Sequence, residues 1–135
     1  MLLVFCASTD AMSGQHTSRF LGPFLRWLVP GISDETLQLV QFTVRKTGHL
    51  AEYAVLALLL WRALRQPVPG DPRPWSWRVA ARALLLALCY AATDEFHQTF
   101  VPSRDGTVTD VLLDTLGAAA GLGLLWAIGQ VRKRW

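Results

Sequence analysis

Residues 79–100 read VAARALLLALCYAATDEFHQTF. Up to Thr93 the run carries one charge, Arg82, and no proline or glycine. As a helix it is about 33 Å long, enough for a hydrocarbon core of about 30 Å. Its last turn and a half then crowds in Asp94, Glu95, His97 and Gln98. Carboxylates at membrane depth are costly and seldom lack a partner or a task. The stretch therefore sets the fold class, an all-α membrane bundle, and poses the functional question.

The neighbouring segments repeat the pattern. Residues 110–131, DVLLDTLGAAAGLGLLWAIGQV, form another span with Asp110 and Asp114 at its start. Residues 48–64, GHLAEYAVLALLLWRAL, form a third, short at its apolar part and extended upstream. Ser33 followed by Asp34 and Glu35 is a helix start, a hydroxyl N-cap before acids in the first turn. Residues 65–78 hold four prolines and make a loop, as do residues 101–109. Residues 8–18 are polar and turn-prone and are expected as a loop. Residues 20–32 are apolar but broken by Pro23, Pro30 and Gly31, which predicts an interfacial segment anchored by Trp27. Residues 1–7, MLLVFCA, rise only about 10 Å and cannot span alone. They are expected to be the tail of a first span cut short by a late start, or else a partial interfacial helix. The expected architecture is one domain over residues 1–135: a polytopic membrane helix bundle of three full transmembrane helices plus a truncated or partial N-terminal one.

Composition agrees. The chain is 52% hydrophobic and 17% charged, where a soluble domain carries about 25% charged residues. The net charge of +3 reflects arginines in short connections, so it reads as topology rather than nucleic-acid binding. Arg62, Arg65, Arg73, Arg78 and Arg82 flank one loop with Asp71 as the single acid, and Arg132, Lys133 and Arg134 close the chain. The positive-inside rule places both in the cytoplasm, with Trp61, Trp75, Trp77 and Trp135 at that boundary. Cys6 and Cys89 lie in apolar runs without metal or disulfide spacing.

The polar residues then collect at the opposite, extracytoplasmic end. Lys46, His49 and Tyr53 share one helix face, with Glu52 beside it. Asp94 and Gln98 are one turn apart, and Asp110 and Asp114 continue along their helix into Gly117 and Gly121, a small-xxx-small seam. Arg104 sits in the loop between two of these helices. Acids, histidines and bases in a partly desolvated cleft suit acid–base work or the binding of a charged headgroup. The candidate acid–base or orienting residues are His49, Glu52, Asp94 and Glu95. The candidate ligand-binding residues are Lys46, Tyr53, Gln98, Arg104, Asp110 and Asp114, with Lys46 and Arg104 directed at phosphate or carboxylate. The plain alternative is that these groups are inter-helix ion pairs and hydrogen bonds. His49, His97 and the acids are competent metal ligands, but no zinc signature such as HExxH occurs, and no metal or cofactor is assigned. Ser103 has no nucleophile frame, and no phosphate-binding glycine pattern is present.

Taken together, Lys46-x-x-His49-x-x-Glu52-Tyr53, Asp94-Glu95-x-x-Gln98-x-Phe100-x-Pro102-x-Arg104 and Asp110-x-x-x-Asp114-x-x-Gly117-x-x-x-Gly121 resemble the VanZ-like family of small bacterial membrane proteins. The likeness covers about residues 40–125, and the turn at Ser8 and Thr9 fits a usual first span. Asp114 departs from it, since that position is commonly asparagine. The resemblance implies about four transmembrane helices and a role in the cell envelope, with the namesake linked to teicoplanin resistance. The implied partners are the bilayer and a lipid-linked cell-wall precursor or anionic headgroup. A small transporter, or a purely structural membrane subunit, are the competing readings. Transport is disfavoured because residues 55–64 and 79–92 hold no carboxylate.

Overall fold

The computed structural model describes residues 14–66, 75–100 and 107–132, with side chains from residue 21 onward. Four helices make up this part: α1 (Gly14–Leu28), α2 (Asp34–Arg65), α3 (Trp77–Gln98) and α4 (Val108–Val131), with no strand among the described residues. The all-α expectation is met. One helix, Val108–Val131, is long and apolar enough to cross a membrane by length and composition. The other two long helices are more polar: α2 carries Arg45, Lys46 and Glu52 near its middle, and α3 carries Arg78, Arg82, Asp94 and Glu95 towards its ends.

Each long helix starts on a hydroxyl cap. Ser33 accepts from Thr36 N–H at 3.2 Å, Ser76 from Val79 N–H at 3.4 Å and Thr107 from Asp110 N–H at 3.2 Å. Each cap pairs one of the donors a helix N-terminus leaves open. α2 ends on Gln66 in the left-handed region, whose N–H returns to Arg62 O at 3.1 Å.

Two expectations are corrected at the N-terminal side. Residues 14–18 are helical rather than loop, and α1 runs through Pro23 instead of breaking there. Proline removes one donor and leaves the rest of the ladder intact, and this amphipathic helix packs on α2, with Leu21, Gly22 and Leu25 its least exposed described positions. The break comes later, at Pro30 and Gly31, where Gly31 takes φ 102°. Arg26 pairs with Asp34 across this turn at 2.7 Å, but both are exposed, so the pair contributes at most about 1 kcal/mol. The expectation for residues 1–7 lies outside the described residues, as do Arg73, Lys133, Arg134 and Trp135.

α2, α3 and α4 pack mutually, and α2 has its most extensive contact with α4. The reason is a stripe on each helix. On α3, Ala80, Ala83, Ala87 and Ala91 are buried and continue directly into Asp94 and Gln98. On α2, Tyr53, Ala57 and Trp61 are buried below Lys46 and His49. On α4, Asp114 leads into Gly117, Ala118, Gly121 and Leu122. The steps of three and four keep each stripe on one face. Small residues at its centre let the backbones approach. A Cβ at Gly117 would stand 2.5 Å from Leu50 O, and one at Gly121 would stand 3.0 Å from Ala54 Cα.

At one end of the stripes the tryptophans gather. Trp61 stacks on Trp75 at 5.2 Å, Trp75 meets Trp77 edge-on at 5.6 Å, and Trp77 lies 5.8 Å from Trp126. Arg65 lies over the Trp61 ring at 5.1 Å. Trp126 joins a group in which the sequence reading had Trp135. The polar residues occupy the opposite end.

Candidate functional site

Three helices supply the polar end, and their stripes aim it inward. Asp94, Glu95, Gln98 and Asp114 are buried, with exposures of 1–5%. α3 cannot bury its alanine face without also burying Asp94 and Gln98, because they lie on the same line. Gln98 Nε2 donates to Asp94 Oδ2 at 3.0 Å. This single turn of helix thus fixes one carboxylate oxygen and leaves the other, Oδ1, without a hydrogen-bond partner among the described residues.

Glu95 points to the start of α4. Its Oε2 accepts from the Thr107 backbone N–H at 3.0 Å. Thr107 is the N-cap of α4, so a carboxylate of α3 sits at the positive end of the next helix. The sequence reading began that span at Asp110 and missed Thr107. The signal was present: Thr107-Val-Thr-Asp110 has a hydroxyl three residues before an acid.

α2 supplies the basic side. Lys46 forms an ion pair and hydrogen bond with Asp110, each side chain 22% exposed. Lys46 also lies 5.4 Å above the Phe42 ring. His49 Nδ1 is 3.8 Å from Asp114 Oδ1, while Asp114 Oδ2 has no hydrogen-bond partner among the described residues. Tyr53 is fully buried with its ring 6.4 Å from that of Tyr90, and its hydroxyl is likewise unpartnered. Glu52 and His97 are half-buried on the flanks. Arg104 lies outside the described residues.

The structure therefore brings together Lys46, His49, Tyr53, Asp94, Glu95, Gln98, Asp110 and Asp114. Asp114 has Glu95, Asp110 and Asp94 as acidic neighbours and Lys46 as a basic one. Among the described residues, no three His, Cys, Asp or Glu side chains are grouped so as to hold a metal ion. The arrangement offers carboxylate and phenol oxygens to a ligand and groups able to exchange protons with it.

The Lys46–Asp110 pair joins α2 to α4 at the rim. Lys46→Met leaves Asp110 partly buried without its cation and is expected to destabilise the bundle by about 1–3 kcal/mol. Lys46→Met with Asp110→Asn is expected to recover part of that loss. Thermal midpoints in detergent for the two variants check this, and equal midpoints for them would assign the pair no coupling.

The VanZ/LLP1 family model matches residues 1–129 of the chain. No curated protein and no solved structure matches it.

Proposed function

We propose, for a chain that belongs to the VanZ/LLP1 family, a multi-pass protein of the bacterial cytoplasmic membrane whose polar cluster faces outward. There it binds or modifies a lipid-linked cell-wall component, in the setting of glycopeptide (teicoplanin) resistance. The observation that carries this reading is the burial of Asp94, Glu95, Gln98 and Asp114 at one end of three packed helices. Buried acids of that kind are expensive to keep. The lengths support a membrane setting: Trp77 and Asp94 are separated by about 26 Å of helix, close to the hydrocarbon thickness of about 30 Å. Arg62, Arg65 and Arg78 lie at the tryptophan end, which supports a cytoplasmic place for it and an outer place for the acids.

Orientation is checked by labelling. With Cys6 and Cys89 replaced, Val108→Cys is expected to react with an impermeant maleimide in intact cells. Trp77→Cys is expected to react only after permeabilisation. The reverse pattern would turn the molecule over and remove the outer-face assignment.

The function is checked in a host that the wild type protects from teicoplanin. Glu95→Ala and Arg104→Ala are expected to remove protection at normal protein abundance. Unchanged susceptibility at that abundance would exclude a role for the cluster in resistance. The Glu95–Thr107 bond favours a second reading, in which the cluster holds the helix ends together. That reading requires Glu95→Ala to lose folded protein in step with any loss of protection.

A further inference from the structure

Three buried oxygens at the cluster have no hydrogen-bond partner among the described residues: Tyr53 Oη, Asp94 Oδ1 and Asp114 Oδ2. Each comes from a different long helix. The residues are 0%, 4% and 1% exposed, so bulk water does not serve them. The charges of Asp94 and Asp114 act on the Tyr53 hydroxyl, and that of Asp94 acts on Asp114. A buried polar group left unpaired costs about 1–3 kcal/mol, and more when charged. Three together, one from each wall, mark a place where something else supplies donors.

The charge balance names the sign of that group. Asp94, Glu95, Asp110 and Asp114 are four carboxylates. Among the described residues, those facing them are Lys46, already held by Asp110, and the His49 imidazole, 3.8 Å from the other oxygen of Asp114. Among the described residues acids are therefore in excess around the three oxygens, which favours a cation over a phosphate or carboxylate. The donor set narrows it further. No three His, Cys, Asp or Glu among the described residues are grouped for a metal ion. A primary ammonium carries three N–H donors and no acceptor, which matches the two carboxylate oxygens and a lone pair of the Tyr53 hydroxyl, whose own O–H is left to donate to a carboxylate.

We propose that Tyr53, Asp94 and Asp114 receive a primary ammonium group borne on a membrane ligand. This rests on reading the cluster as a ligand site, and it replaces the anionic headgroup expected from the sequence with a cationic one at this depth. Lys46 then closes the rim with Asp110 rather than contacting ligand.

The probe is dodecylammonium, titrated calorimetrically into the full chain in nanodiscs of uncharged lipid. Saturable binding is expected, at least about tenfold tighter than for dodecyltrimethylammonium, which has the charge but no N–H donor, or for dodecylphosphate. Asp94→Asn is expected to weaken it at least about tenfold. Tyr53→Phe, which removes only the hydroxyl, is expected to weaken it severalfold and decides the matter if Asp94→Asn does not fold. Equal binding of the trimethyl analogue, full competition by sodium or magnesium chloride at matched ionic strength, or indifference to Tyr53→Phe would each overturn the assignment. The assay needs no resistance phenotype. Amine binding with unchanged susceptibility of Glu95→Ala would defeat the resistance role and leave this assignment standing, and lost protection without amine binding would do the opposite.

Discussion

Gly117→Leu is expected to yield no folded, monodisperse protein after detergent extraction. The α2–α4 contact is built on backbone approach. A Cβ at Gly117 meets Leu50 O at 2.5 Å, Leu50 Cα at 2.9 Å and Leu50 C at 3.1 Å. These are main-chain atoms, so no rotamer change clears the space, and the helices must separate. Separation strips packing from the most extensive interface of the bundle, and helix association in membranes depends on such packing. The cost is about 3 kcal/mol or more. Gly48→Ala is the control. A Cβ there meets nothing within 4 Å, and alanine in a helix interior gains about 0.5–1 kcal/mol over glycine. Size-exclusion profiles and thermal midpoints separate the two. A well-behaved Gly117→Leu protein would mean that α2 and α4 do not meet at this seam.

Asp114→Asn is expected to raise the thermal midpoint by several degrees. Asp114 is the least exposed of the acids, at 1%, with acidic neighbours on α3 and α4. The His49 imidazole Nδ1 stands 3.8 Å from its Oδ1, beyond a good hydrogen bond. Removing a weakly compensated charge from such a place commonly stabilises by about 1–4 kcal/mol, since the desolvation penalty exceeds the attraction. Asparagine keeps the volume, so no cavity offsets the gain. A lower midpoint would instead make Asp114 a stabilising link to His49. Stability given up at a site is the usual sign that the group serves something other than the fold.

The stripes explain why so much of this was legible in the chain. The run from Ala80 to Ala91 and on to Asp94 and Gln98 keeps one helical phase, so burying the alanines determines where the acids point. The same holds for Lys46, His49 and Tyr53, and for Asp114, Gly117 and Gly121. What could not be read are contacts between stripes. Lys46 and Asp110 are 64 residues apart, and nothing in either segment sets the register that joins them. The glycine seam was visible, but its partners Leu50 and Ala54 are ordinary span residues. Glu95 reaching Thr107 depends on the turn between α3 and α4. At the other side, Pro23 suggested a break because its local cost was visible while the packing of α1 on α2 was not.

The central claim is that the buried acids form a site and are not merely glue between helices. Asp94→Asn tests it most directly, because it keeps the shape and an acceptor at this position and removes the charge. Thermal midpoint in detergent and teicoplanin susceptibility at matched abundance should be measured on the same variant. The account predicts a midpoint within a few degrees of wild type, or above it, with protection lost. A collapsed midpoint with protection falling in proportion, or full protection from a stable protein, would contradict it.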